Sequence, residues 1–204
     1  MSIQMKKQKQ KRCSIMIRNK NDLYDFLQTD ALANGRTGIK TKIFGDEIWK
    51  FIVVLRKLEY YNNKTEKKNT LLMLMLYKFW YHKLSVKLGF SIPINVFDKG
   101  LAIVHYGTIV VSKGAKIGKN WRIHEGVTIG ATNHSCKAAT IGNNVFIASG
   151  AKIIGDIIIA DNVAIAANAV VTKSITEAGT TWGGVPAVKI SDNDSSSNMV
   201  LNNI

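Results

Sequence analysis

From about residue 91 the chain repeats with a period of six. Ile117, Ile123 and Ile129 are spaced by six, and so are Ile141, Ile147, Ile153, Ile159, Ile165 and Val171. A small residue often follows, as at Gly118, Gly130, Gly142, Ala148, Ala160 and Ala166. A second series falls four after each: Trp121, Val127, Val145, Ala151, Ile157, Val163 and Ala169. A helix repeats every 3.6 residues and an ordinary half-buried strand every two, so neither produces this pattern. A parallel β-helix does. Each hexad supplies a short strand and a turn, and three hexads close one triangular coil of about 18 residues. The repeated Ile and Val then stack inward at a strand spacing of about 4.8 Å. Twelve of the 16 glycines lie between residues 91 and 190, several at expected corners where backbone freedom is needed.

The rest of the 204 residues is organised around this block. Residues 1–20 read as a basic, disordered tail, 21–90 as an α-helical region, 91–190 as the β-helix and 191–204 as a polar, partly disordered tail. In the helical region, Asn21 or Asp22 is placed to cap a helix through Leu23, Phe26 and Leu27. Asp46 and Glu47 suit a first turn, and Thr65 and Glu66 precede the apolar stretch from Leu71 to Leu88. Gly89 is a natural stop. The aromatic cluster Tyr77, Phe79, Trp80 and Tyr81 has helical spacing and is expected in the core.

The net charge of +14 is concentrated in residues 1–90, which carry +12 against +2 for the remainder. The run Lys6, Lys7, Lys9, Lys11 and Arg12 suits a solvated terminus or peripheral contact with an acidic membrane surface. No zinc-finger or RNA-recognition pattern accompanies it, so no specific nucleic-acid partner is expected. Two cysteines, Cys13 and Cys136, are too few for a disulfide scaffold, and a cytoplasmic location is expected. The run from Leu71 to Tyr77 falls far short of the roughly 20 apolar residues a membrane helix needs.

The hexads are interrupted twice. Ile103 and Ile109 are six apart, yet Val111 is the residue six before Ile117, so two extra residues must be absorbed just after His105. Between Ile129 and Ile141 the stretch from Ala131 to Thr140 is polar, and it reads as a loop thrown out from a corner.

Four segments carry a family resemblance: His105 to Val111 (His-Tyr-Gly-Thr-Ile-Val-Val), Val127 to Gly130 (Val-Thr-Ile-Gly), Ile147 to Ile153 (Ile-Ala-Ser-Gly-Ala-Lys-Ile) and Gly183 to Ala187 (Gly-Gly-Val-Pro-Ala). Over roughly residues 85–190 the chain resembles the hexapeptide-repeat acyltransferases with a left-handed parallel β-helix. It is most similar to the branch of serine acetyltransferases and sugar or capsule O-acetyltransferases. The left hand is implied by the resemblance, since it runs against the usual right-handed crossover. The resemblance also implies acetyl-CoA as co-substrate, a homotrimer with active sites between subunits, no metal, and His105 as general base in direct transfer. Imidazole suits that task near neutral pH. It further implies that Ala131, Ser149 and Ala167 line the pantetheine arm. Lys173 or Lys189 is a candidate, by charge alone, to meet the CoA phosphates, against the plainer reading of a solvated lysine.

Counting one coil plus the two-residue shift from His105 gives Glu125, a carboxylate placed to orient the imidazole and stabilise its protonated form. His124 points differently and is assigned to the acceptor cleft with Asn133 and His134, the last also a candidate to reach a neighbouring subunit. The chain departs from the serine enzymes at three places. Val104 stands where they carry an acid before the histidine, Phe90 where they carry an orienting acid, and Lys137-Ala138 where their loop has Arg-His. A sugar hydroxyl in surface-polysaccharide biosynthesis is therefore expected as acceptor, with Trp80 or Tyr81 as a stacking face. Serine, in cysteine biosynthesis, is the alternative. Two other classes remain open: a metal lyase of the γ-carbonic-anhydrase type using His105, His124 and His134, and a noncatalytic scaffold or polyanion-binding protein.

Overall fold

The computed structural model describes residues 16–64, 70–132 and 136–200. Helix α1 (Lys20–Ala33) starts from Asn19, whose side chain accepts from the Asp22 N–H while the Asp22 carboxylate accepts from the Asn19 N–H. This reciprocal cap corrects the expectation of Asn21 or Asp22: Asp22 is the third helical residue and not the cap. Ile17 is buried with Phe26 and Tyr60, so the chain is already docked inside the expected 1–20 tail. Residues 1–15, with the basic run, lie outside the described residues.

Helix α2 (Glu47–Asn63) follows Asp46, with Glu47 in its first turn. Helix α3 (Leu71–Leu88) ends at Gly89, which adopts φ +77° and donates its N–H to the Ser85 carbonyl. Thr65 and Glu66, expected ahead of α3, lie outside the described residues.

The helices are fastened to the first coil by a buried ion network that sequence patterning does not reveal. The Arg56 guanidinium is fully buried and bonds Asp30 at 2.7 Å, Glu59 at 3.0 Å and the carbonyls of Phe97 and Asp98. Asp30 in turn accepts from the backbone N–H groups of Gly100 and Leu101. Each charge has partners, which is the condition for burying it. Burial raises the Glu59 carboxyl above its ordinary range, against the pull of Arg56 and the Asn95 N–H.

The aromatic cluster of α3 departs from expectation. Phe79 and Trp80 are exposed, packing on each other, and Leu88 is the helix's one buried residue. Tyr77 stacks on Tyr61, and Tyr81 packs on Phe51 and donates its hydroxyl proton to the Ile92 carbonyl. The helix is apolar all round, so packing one side on α2 leaves apolar residues on the other.

After β1 (Phe90–Ser91) the chain winds into coils. The first holds β2 (Leu101–Ile103), β3 (Ile109–Val111) and β4 (Lys116–Ile117). The second holds β5 (Trp121–Ile123), β6 (Thr128–Gly130) and β7 (Thr140–Ile141). The third holds β8 (Val145–Ile147), β9 (Lys152–Ile154) and β10 (Ile158–Ile159), and the fourth β11 (Ala164–Ile165) and β12 (Val170–Val171). The hairpin of β13 (Thr181–Gly183) and β14 (Val188–Ser191) closes the stack. Strands of successive coils pair in parallel on three faces: β2–β5–β8–β11–β13, β1–β3–β6–β9–β12 and β4–β7–β10. The repeated isoleucines and the second series starting at Trp121 are buried inside.

Both interruptions of the hexads fall at corners. Ile103 pairs with Ile123 but Val111 with Ile129, so the turn from β2 to β3 carries the two extra residues. Ile117 pairs with Ile141, so the turn from β6 to β7 carries a further hexad, of which 133–135 lie outside the described residues. The corner ahead of β5, β8 and β11 is built on Asn120, Asn144 and Asn162, all left-handed, whose amides bond from coil to coil at 3.0 and 2.8 Å. The C-terminal segment also departs from the expected loose tail. Ser195 is buried, its hydroxyl donating to the Asn144 carbonyl, and a 3-10 turn (Ser196–Asn198) leads to a buried Met199.

Candidate active site

The corner between the β2–β5–β8–β11 face and the β3–β6–β9–β12 face collects the chemistry. Ile103, Ile123, Ile147 and Ile165 are successive partners on one face. Two residues beyond each stand His105, Glu125, Ser149 and Ala167, so these four form one column down the edge of the prism. The register therefore places Glu125 one coil from His105. Gly107, at φ +129°, lies against Glu125, and a Cβ there would come to 3.0 Å from the Glu125 Cβ. The corner is held by the Gly107 N–H donating to the Leu88 carbonyl at the end of α3, and by the Gly126 N–H donating to the Thr108 carbonyl.

His105 is exposed and Glu125 half-buried. Nitrogens of His105 and His124 and a carboxylate oxygen of Glu125 all lie within 4.8 Å of one another. His124 was expected to point elsewhere; its ring instead meets His105 edge-on with centroids 5.4 Å apart, because it stands one residue before Glu125 at the same corner. The other side of His124 is covered by Phe146 at 5.3 Å, and its Nδ1 lies 3.5 Å from the Ser149 hydroxyl. Burial, with help from the charges of Arg122 and His105, lowers the His124 pKa and favours its neutral form. Ser149 holds the Glu125 carboxyl below its ordinary range, and the two imidazoles add to this. The Oε2 atom of Glu125 is buried without a hydrogen-bond partner among the described residues.

The arrangement can accept a proton at His105 and stabilise the resulting imidazolium with a carboxylate. Two imidazoles and a carboxylate are also donor types that could hold a divalent metal ion.

The remaining sequence-derived residues divide. Ser149 and Ala167 share the column with His105. Ala131 does not: it stands at the next corner, at the base of the loop after β6. Lys173 is exposed after β12, near that other corner, and Lys189 is paired with Glu177 and Asp192. Asn133 and His134 lie outside the described residues. Phe90 is buried against Phe51 and belongs to the core, and Tyr81 is occupied structurally.

Sequence reasoning missed a cavity beside His124. Its volume is about 340 Å3, and Arg122, His124 and Phe146 line it on one side with residues 197–200 on the other. The signal for Arg122 was available: it stands in the middle of β5, two residues before His124, which follows that strand. The closing wall was not, because it comes from a polar tail with no repeat.

Residues 138–173 match the family model described as bacterial transferase hexapeptide (six repeats). A serine acetyltransferase of Staphylococcus aureus is 41% identical over 93 residues, which are 45% of this chain and 44% of that protein. The match thus spans less than half the length of this curated relative. Among solved structures, the serine acetyltransferase of Brucella abortus superposes with a TM-score of 0.64 at 24% identity, over 86% of this chain and 72% of that one. The serine acetyltransferase of Neisseria gonorrhoeae in complex with serine gives 0.63 at 21% identity, over 84% and 70%. The Brucella protein has also been solved in complex with coenzyme A. These likenesses supply the hand of the coils. The chain carries hexapeptide repeats wound into a left-handed parallel β-helix preceded by helices, and over somewhat less than half its length it is related in sequence to the serine acetyltransferases.

Proposed function

We propose that this chain is an acetyl-CoA-dependent O-acetyltransferase with L-serine as acceptor and His105 as general base. The observation that carries the reading is the stacking of Glu125 one coil from His105, with Ser149 and Ala167 continuing the same column. The neutral imidazole takes the acceptor hydroxyl proton as the oxygen attacks the thioester carbonyl carbon. The carbon–sulfur bond then breaks, and the imidazolium returns its proton to the departing CoA thiolate. Glu125 is a positioning residue: it orients the ring and offsets its transient charge. A neutral His124 adds no second positive charge beside it. The small side chain of Ala167 leaves the edge of the prism open to the pantetheine arm.

Serine is preferred because serine acetyltransferases are the relatives found, and one structural neighbour holds serine. This reverses the acceptor expected from the sequence. A sugar hydroxyl is the second reading, and its support is specific: Val104 and the buried Phe90 stand where the serine enzymes carry acids. A homotrimer acting in the cytoplasm accords with either.

The test is CoA release from acetyl-CoA with L-serine and, separately, with free sugars and nucleotide sugars. We expect kcat/KM for L-serine to exceed every sugar at least about tenfold, roughly 1.4 kcal/mol of transition-state binding. Turnover of a sugar with none of serine would install the second reading. No turnover with any acceptor would count against both.

A further inference from the structure

The cavity beside His124 has one strong electrostatic feature. Arg122 is half-buried in its wall, and among the described residues its guanidinium forms no ion pair or hydrogen bond. On its own face it pairs with Ala102 on one side and Phe146 on the other, so neither strand neighbour brings a carboxylate. Across the cavity the 3-10 turn presents Ser197 and Asn198, polar groups able to donate, followed by apolar Met199 and Val200. The cavity reaches His124, whose ring contacts His105.

A guanidinium is permanently charged and presents a planar fork of donors that fits two oxygens of a carboxylate or phosphate. A half-buried guanidinium with no partner leaves those donors open to a ligand. Its place matters because His124, which lines the same cavity, meets His105 edge-on.

We infer that Arg122 is the anion-binding residue of the acceptor site: the acceptor's carboxylate or phosphate seats on Arg122 and residues 197–200, and its hydroxyl is thereby delivered past His124 to His105. This rests on the acetyltransferase reading for the direction of delivery, but the anion site itself stands on the cavity alone. The anion site is thereby built on a strand of the β-helix, with residues 197–200 as its cover.

The test uses the full-length protein with Arg122→Met and Arg122→Lys. With L-serine as acceptor, Arg122→Met is expected to raise KM at least about tenfold, with kcat and the acetyl-CoA KM changing less than about twofold. Arg122→Lys should recover part of the loss, because it keeps the charge and loses the fork. L-serinamide, which lacks the carboxylate, should be used equally by wild type and both variants. If the anion is a phosphate, the same contrast should appear between a sugar phosphate and its parent sugar. Calorimetric titration with L-serine and with inorganic phosphate reads the site without turnover, so a wild type inert toward every acceptor sinks the acetyltransferase reading and still leaves the anion site decidable. Equal KM values and equal binding in wild type and Arg122→Met, with melting curves showing both folded, would overturn the inference.

Discussion

Glu125 stands one coil from His105 because the strands before them pair in register, Ile103 with Ile123. An acid two residues past a buried isoleucine at the same corner is thereby brought within 4.8 Å of an imidazole 20 positions earlier in the chain. The strand pairing stacks the two corners, so the spacing follows from the register of successive coils.

The first consequence concerns that carboxylate. Glu125→Gln keeps the shape and removes the charge proposed to offset the imidazolium. We expect kcat to fall by about 100-fold or more, with the KM for acetyl-CoA nearly unchanged. Steady-state kinetics on both substrates checks this; an unchanged kcat would remove Glu125 from the mechanism.

The second concerns the cofactor path. Ala167 is exposed at the foot of the His105 column. A tryptophan there would fill the edge of the prism, so Ala167→Trp is expected to weaken acetyl-CoA binding at least about tenfold, roughly 1.4 kcal/mol. Calorimetric titration with CoA decides it, and unchanged affinity would place the pantetheine arm elsewhere.

The period of six, together with the family resemblance, made the β-helix legible, since few folds besides a stack of short-stranded coils bury an Ile at every sixth position. The position of Glu125 followed by counting. The role of His124 did not, because a corner residue's direction depends on which neighbours it meets, here His105 and Phe146. Arg56, Asp30 and Glu59 were invisible for another reason. Charged residues in amphipathic helices ordinarily face water, and only tertiary packing reveals that these meet one another. The exposed Phe79 and Trp80 show the converse, an apolar helix with more apolar surface than its chain covers.

The third prediction follows from the buried network. Arg56→Met leaves Asp30 and Glu59 buried without their counter-charge. We expect a loss of about 3–5 kcal/mol, as for other broken buried pairs, read as a lowered midpoint in chemical denaturation. A loss below about 1 kcal/mol would mean that the helices are held to the first coil by apolar packing alone.

The fourth concerns acid. His124 has its pKa lowered in the folded state, chiefly by burial, whereas an unfolded histidine titrates near about 6.5. Between those values the unfolded chain binds the extra proton, so stability rises with pH there. The contribution is present above the unfolded value and is lost as pH falls through it toward the folded one. The drop in Tm between about pH 7.5 and pH 5.5 should therefore be smaller in His124→Asn than in wild type. An equal drop in both would mean that His124 is not the group responsible.

The proposed chemistry requires His105 to take the acceptor's proton, and the direct measurement is CoA release from acetyl-CoA and L-serine by wild type and His105→Ala, with unfolding curves recorded for both. His105 is exposed at a corner, so the variant should melt as wild type does. Turnover should fall at least about 100-fold, the lower range for a lost general base. A folded His105→Ala variant that releases CoA at the wild-type rate would contradict His105 as the base.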